Sequence, residues 1–268
     1  MAARGSADSD GEQIYFEYWG DSGEVVILCH GLGGSHAVWY QQVAFLSQHY
    51  RVITWDQRGF GRSTSTTGSI GPTPAVHDMV AVLDELGVNR AHVIGQSMGG
   101  WAALGFAINN PDRVISLVLA DTTAGIFPPD IRRTLSDYGK AIATGPPLPD
   151  MPLGFHPAIG AQLVEEDLAQ AFLHTQLGGL TDPRSPTEIL PLLMTADHTD
   201  GASGVTFPTL FIVGEHDPIF PPQLVASAVD LIPGSTVAIV ENTGHSPYFE
   251  RPRHWNDIVV AFLQESSP

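Results

Sequence analysis

Ser97 lies in the pentapeptide Gly95-Gln96-Ser97-Met98-Gly99, directly after the apolar run Ala91-His92-Val93-Ile94 and just before the apolar stretch Trp101 to Ala107. A strand that ends in Gly-x-Ser-x-Gly and turns at once into a helix holds the serine on a sharp bend. Only small neighbours leave that bend room to form, and the hydroxyl projects from the sheet edge. The helix then begins beneath the hydroxyl, so its free N–H groups point at negative charge developing there. The chemistry that suits this arrangement is nucleophilic attack with a covalent acyl intermediate. The plainer reading is a glycine-rich start to a helix.

A nucleophilic serine needs a base, and the base needs an acid to orient it. Near the C-terminus, Ser235 to Val240 reads as a strand, and Glu241-Asn242-Thr243-Gly244-His245 leads out of it. His245 stands apart from the other histidines by its Gly-His context and its place beyond the last strand. Upstream, Thr209 to Gly214 reads as a buried strand followed by Glu215-His216-Asp217-Pro218, which puts the Asp217 carboxylate just past a strand end. Asp121 is a rival, since it follows the apolar run Val114 to Ala120 in the same manner. Glu215 and His216 read as solvated loop residues. A third requirement is a cradle for an oxyanion. His30-Gly31-Leu32-Gly33-Gly34 follows the apolar strand Glu24 to Cys29, and its glycines let the backbone bend close to a ligand. The Leu32 and Met98 N–H groups are the candidate donors; otherwise this loop is an ordinary glycine turn.

With these residues in place, the chain resembles an alpha/beta hydrolase of the single-chain, cap-bearing type. The matching pieces occur in family order: His30 to Gly34 with Trp39 downstream, Asp56-Gln57-Arg58-Gly59-Phe60-Gly61-Arg62-Ser63, Gly95 to Gly100, Gly214 to Asp217, and Gly244-His245. The resemblance implies a Ser97, Asp217, His245 triad in the family's chain order, an oxyanion hole from Leu32 and Met98, and no cofactor. Some members take the acid from the earlier strand end, which would be Asp121. The Asp56 to Ser63 loop is expected to be structural, its arginine and aspartate tying loops together.

The elements that must position these groups are legible as alternating strands and helices. Val76, Met79, Val80, Leu83 and Leu86 share one face of a helix over Pro74 to Leu86, and Trp255, Ile258, Val259, Phe262 and Leu263 repeat the spacing. Such alternation predicts an α/β fold with a mostly parallel central sheet covered by helices on both faces. At 268 residues with 43% hydrophobic content, the chain can bury one large core. The rhythm breaks between about Asp121 and Thr206, where Pro128-Pro129, Gly145 to Pro149 and Pro191 separate short apolar pieces such as Leu163 to Leu173. The resemblance implies a helical cap inserted here, giving a core of residues 1–121 and 206–268 and a cap of residues 122–205. A cap excludes water and shapes the pocket. Phe127, Phe155, Phe172, Leu177 and Leu192 either line that pocket or pack the cap's own helices.

Charge narrows the partners. The net charge is −17, from 29 acidic against 12 basic residues, with Lys140 the single lysine. So acidic a surface disfavours nucleic acid and anionic membrane, and a small-molecule ester or lactone is the expected partner. Cys29, in an apolar strand, reads as a small buried hydrophobe. One cysteine forms no intrachain disulfide, and the expected location is cytoplasmic. The polar segment Met1 to Asp10 lacks the apolar centre of a signal peptide and reads as a frayed end. No run approaches the ~18 apolar residues of a membrane span. Metal and phosphate-loop motifs are absent, so the chemistry is expected from side chains alone. Serine at position 97 argues against the aspartate-nucleophile branches of the family, dehalogenases and epoxide hydrolases. Leu32-Gly33-Gly34 and Gln96 depart from the Gly-x-Gly-Pro-Gly and asparagine typical of carbon–carbon bond hydrolases. Ester or lactone hydrolysis is the expectation, with carbon–carbon hydrolysis, perhydrolysis and a triad-bearing small-molecule receptor as alternatives.

Overall fold

The computed structural model describes residues 3–127, 131–133, 136, 151–156, 158–179 and 186–267. Eight strands form one sheet: β1 (Ala3–Ser9), β2 (Glu12–Trp19), β3 (Val25–Cys29), β4 (Arg51–Trp55), β5 (Ala91–Gln96), β6 (Val114–Ala120), β7 (Thr209–Gly214) and β8 (Thr236–Val240). Their order is β1-β2-β4-β3-β5-β6-β7-β8, and every pairing from β4 to β8 is parallel. The strands β3, β5, β6 and β7 are buried along their whole length. That is why they read as continuous apolar runs rather than alternating ones.

Helices cover both faces. Val25, Ile27 and Cys29 face one apolar cluster, shared with α2 (Pro72–Glu85), α3 (Met98–Asn109) and α8 (Pro222–Val229). Val26 and Leu28 face the other, with α1 (Tyr40–Leu46) and α10 (Pro252–Ser266), where Trp39, Tyr248 and Trp255 meet in tilted and edge-on ring contacts. The period of two along β3 thus divides one strand between two cores. Register does the rest: Cys29 lies opposite Gly95, Gln96 opposite Ala120, Ala120 opposite Ile212 and Gly214 opposite Val240. The loops that carry His30, Ser97, Asp121, Asp217 and His245 therefore leave the same edge of the sheet.

The N-terminal segment corrects one expectation. Polarity reads it as a frayed end, yet Ala3–Ser9 is strand β1, paired antiparallel with β2 through Asp10 and Gly11. Both turn residues sit in the left-handed region, φ 52° and 83°, the geometry an Asp-Gly hairpin supplies. Backbone pairing and the burial of Ala7 and Ser9 hold a strand whose side chains are mostly polar.

Between β6 and β7 the chain leaves the sheet, as the broken rhythm anticipates. Pro128, Pro129, Lys140, Gly145 to Pro149 and Arg184 lie outside the described residues. The apolar piece from Leu163 to Leu173 is two helices, α4 (Ala161–Glu166) and α5 (Leu168–Gly179), divided at Asp167. Its carboxylate accepts the Gln170 N–H at 3.0 Å, capping the second helix as the first ends. Next come α6 (Pro186–Leu193) and the short α7 (Thr199–Ala202). Of the apolar side chains singled out here, Phe127 packs on Trp101, while Phe155 meets a half-exposed Phe172 edge-on at 5.1 Å.

Candidate active site

Ser97 occupies the bend between β5 and α3 with φ 50° and ψ −120°. A non-glycine residue there carries strain, so the surroundings must over-determine it. They do: the Ser97 N–H donates to the Ala120 carbonyl at 2.9 Å, and the Ser97 carbonyl accepts from Gly100 N–H and Thr122 Oγ1, both at 2.9 Å. The flanking glycines are steric necessities. A Cβ on Gly95 would lie 2.5 Å from the Gly99 carbonyl, and one on Gly99 would strike the Cys29 and His30 carbonyls.

His245 and Asp217 complete a continuous hydrogen-bonded chain. Ser97 Oγ lies 2.9 Å from His245 Nε2, and His245 Nδ1 lies 2.8 Å from Asp217 Oδ2. The other Asp217 oxygen accepts the Ile219 and Phe220 N–H groups at 2.7 and 3.0 Å, which fixes the carboxylate plane. Phe220 stacks on the imidazole at 5.8 Å and 23°. Asp217 and His245 are both buried, and Ser97 is part-exposed. With its carboxylate on Nδ1, the imidazole presents a lone pair at Nε2 to the serine hydroxyl, the arrangement a general base requires.

Asp121, the rival acid, sits beside this chain. Its Oδ1 accepts the Gly214 N–H at 2.9 Å, while its buried Oδ2 has no hydrogen-bond partner among the described residues. Burial drives its pKa well above the ordinary carboxylate range, and the neighbouring Asp217 charge adds to the effect. Ligating atoms of Asp121, Asp217 and His245 come within 4.8 Å of one another, the one such cluster of three among the described residues. Two of its members are already bonded to each other and the third favours its neutral form, a poor donor set for a cation.

Met98 follows the serine directly, and Leu32 lies in the loop after Gly31. A Cβ on Gly31 would lie 3.1 Å from Ser97 Cβ, so the loop passes directly over the nucleophile. Met98 opens α3, and neither its N–H nor that of Leu32 reaches an acceptor among the described residues. Glu215 is exposed and accepts the Asn242 N–H at 3.0 Å, and His216 pairs with it at 3.6 Å, both outside the chain of contacts. In the Asp56 to Ser63 loop, Asp56 accepts from His36 and Arg62, and Arg58 pairs with the buried Asp78. These contacts tie the loop to neighbouring elements, and Gln57 joins it to His30, its N–H donating to His30 Nε2 at 3.0 Å and its side-chain amide to the His30 carbonyl at 2.6 Å. Burial pushes the Cys29 thiol up to about 12.

The match to protein families is decided by extent: the alpha/beta hydrolase family profile covers residues 26–255. The chain belongs to the alpha/beta hydrolase family. Among relatives, a Caulobacter protein named putative carbamate hydrolase RutD is 30% identical over 251 residues, 90% of each chain. The 2-hydroxy-6-oxononadienedioate/2-hydroxy-6-oxononatrienedioate hydrolase of Burkholderia vietnamiensis is 30% identical over 269 residues, covering 94% of this chain and 91% of its own. Of solved structures, the enol-lactonase from Burkholderia xenovorans superposes with TM-score 0.81 at 25% identity, covering 97% and 99% of the two chains. A thermophilic esterase from Thermogutta terrifontis gives 0.82 at 24% identity over 100% of both, a likeness of fold.

Several residues of this hydrolase site escape sequence reasoning. Gln96 donates to the His245 carbonyl at 3.0 Å. His174, on α5, lies 3.3 Å from Ser246 Oγ and edge-on to Phe249 at 5.0 Å. Burial pushes its pKa down to about 4, with His156 and His245 nearby adding to the effect. His156 is likewise lowered by desolvation and by His245. The inserted stretch thus brings two imidazoles of lowered pKa near His245, which a survey of its apolar residues does not anticipate. Arg132, one of its few cations, pairs with Asp197 and lies over the Phe127 ring at 4.7 Å. Among the described residues no helix is long and apolar enough to cross a membrane.

Proposed function

We propose that this protein is a serine hydrolase that cleaves carboxylic esters or lactones of small, largely neutral substrates through an acyl-enzyme. The observation that carries the reading is the Ser97–His245–Asp217 chain, with contacts of 2.9 and 2.8 Å. Ser97 Oγ attacks the carbonyl carbon as its proton passes to His245 Nε2, and Asp217 stabilises the resulting imidazolium. The Leu32 and Met98 N–H groups receive the developing oxyanion. Collapse expels the alcohol with the proton from His245. Water, deprotonated by the same ring, then releases the acid. Residues 122–205 serve as the cap over this site, and residues 1–121 and 206–268 as the core. The acidic surface supports a small-molecule partner, with no nucleic acid or membrane, in a cytoplasmic setting.

A second reading, carbamate cleavage, is favoured by the 30% identity over 90% of the chain to the Caulobacter protein. It uses the same attack on a carbonyl carbon. The test is one panel of neutral p-nitrophenyl esters, lactones, carbamates and carboxylated ring-fission diketones, assayed with wild type and Ser97→Ala. Multiple turnovers on neutral esters or lactones, abolished in Ser97→Ala, are expected. A single equivalent of product would indicate a receptor instead. A diketone kcat/KM above that of every neutral ester would move the assignment to carbon–carbon hydrolysis.

A further inference from the structure

Glu250 ends the short helix α9 (Pro247–Glu250) five residues after His245, and it is 4% exposed. Both carboxylate oxygens accept the Gly244 N–H at 3.0 Å, and Oε1 also accepts the Ser246 N–H at 3.2 Å. The N–H groups on either side of His245 thus converge on one carboxylate. A third donor comes from far away in the chain: the Gly160 N–H, immediately before α4, reaches Oε2 at 2.9 Å. There the two backbones touch, since a Cβ on Gly244 would lie 2.6 Å from Gly160 N and one on Gly160 would lie 2.8 Å from Glu250 Oε2.

Among the described residues no cation forms an ion pair with this carboxylate; burial raises its pKa, and the three backbone N–H donors and the nearby Arg251 charge act against that rise. The Arg251 guanidinium turns to Glu166 at 2.8 Å and otherwise reaches only the Glu250 backbone carbonyl. A buried carboxylate without a counter-ion is costly unless several N–H groups satisfy it. Three backbone donors do so here, and an amide could not, because its NH2 would confront an N–H. On the opposite side of the loop, Gln96 holds the His245 carbonyl. The imidazole is therefore gripped before and after its own residue.

Taking Ser97 and His245 as nucleophile and base, we propose that Glu250 is a positioning residue whose carboxylate fixes the His245 loop against Ser97 and fastens the inserted helices to that loop. One group then sets both the reach of the base and the seating of the segment above it. Loss of this grip lowers the rate of proton abstraction in protein that remains folded. A purely structural role would lower stability and leave the rate per folded molecule intact.

The test is phosphonylation by a small alkyl fluorophosphonate. Ser97 Oγ forms the bond to phosphorus, the P–F bond breaks, fluoride leaves and His245 takes the serine proton. Wild type, Ser97→Ala and Glu250→Gln are compared after thermal melts establish the folded fraction. Wild type should label once per chain and Ser97→Ala not at all. In Glu250→Gln the labelling rate constant should fall about 10- to 100-fold, the scale expected for misplacing a catalytic group by an ångström or so. On a small neutral ester kcat should fall by the same factor, with KM changed less than about threefold. Limited proteolysis between β6 and β7 should quicken. Folded Glu250→Gln that labels and turns over at the wild-type rate overturns the proposal. Wild type that fails to label overturns the nucleophile reading, and this inference with it. If Glu250→Gln does not fold, Glu250→Asp keeps the charge but is one methylene, roughly 1.5 Å, too short to span all three donors. It should slow labelling as well, and a wild-type rate in it is equally fatal.

Discussion

Replacing Asp217 is the sharpest test of the triad acid, because Asp121 stands beside it. In Asp217→Asn the amide keeps the shape of the carboxylate but donates toward His245 Nδ1. The ring then carries its proton on Nε2 and cannot accept from Ser97. In a serine protease triad that change costs about 10⁴-fold in kcat, close to 5.5 kcal/mol. Asp217→Ala differs, since it leaves Nδ1 free and removes the charge that helps to keep Asp121 protonated. Ligating atoms of Asp121 and His245 lie within 4.8 Å. At an effective dielectric of about 20, a carboxylate at that distance attracts an imidazolium by about 3.5 kcal/mol. That figure is a ceiling, because the burial that keeps Asp121 neutral opposes its ionisation; a surviving ~1.4 kcal/mol would correspond to tenfold.

The expected kcat losses on a p-nitrophenyl ester are therefore about 10³-fold for Asp217→Ala and about 10⁴-fold for Asp217→Asn. Asp217→Ala combined with Asp121→Asn should drop to the lower level, while Asp121→Asn alone should stay within about threefold of wild type. Steady-state kinetics at saturating ester, on variants of equal folded fraction, read all four. A double variant no slower than Asp217→Ala would refute the electrostatic step. Asp121→Asn slower than Asp217→Asn would place the acid after β6 instead.

Three further outcomes follow from the same geometry. Ser97→Ala or His245→Ala should each lower kcat by about 10⁴-fold or more; near wild-type activity in purified Ser97→Ala would falsify the mechanism. Asp121 holds its proton in the folded chain above pH 3.8, where the unfolded chain releases it, so its contribution is full below that pH and is lost as pH rises toward the elevated folded pKa. Asp121→Asn should consequently be more stable than wild type in denaturant melts at pH 7 and lose the advantage near pH 4; a constant difference across that range would contradict the assignment. Gly99→Ala drives a Cβ into the Cys29 and His30 carbonyls and should destabilise by about 1–3 kcal/mol, the usual range for overpacking, so an unchanged melting temperature would show that α3 can shift away from β3.

The residues legible in the sequence are those whose role is declared by their immediate neighbours. Ser97 lies between a strand and a helix with a glycine two positions away on either side, Asp217 follows the buried run Thr209–Gly214, and His245 follows Thr236–Val240, an apolar run of the sequence that is exposed at Val237 and Ile239. Register then brings these separate strand ends together without further instruction. Asp121 reads as a rival for the same reason. β6 and β7 end side by side, so each delivers a carboxylate to the same place, and the two differ in their hydrogen bonds. Asp217 has two backbone donors and the imidazole, whereas Asp121 has one donor and an unpaired oxygen.

Gln96 is illegible because its partner is a backbone group 149 positions away, and the role of Glu250 because the contact that reaches the inserted helices spans 90 positions, its other donors at Gly244 and Ser246 being backbone N–H groups that no residue type announces. A charged residue at a helix end ordinarily reads as solvated. The signal that was available is its company: Glu250 follows Tyr248 and Phe249, both buried, and a lone carboxylate in so apolar a turn must find donors. The strand Ala3–Ser9 illustrates the same limit from the other side. Its polar side chains carry little hydrophobic signal, and Asp10-Gly11 is the one local feature that announces the hairpin. Side-chain pattern exposes what is held by burial, while structure held through backbone N–H groups is visible only where a turn or a misplaced charge betrays it.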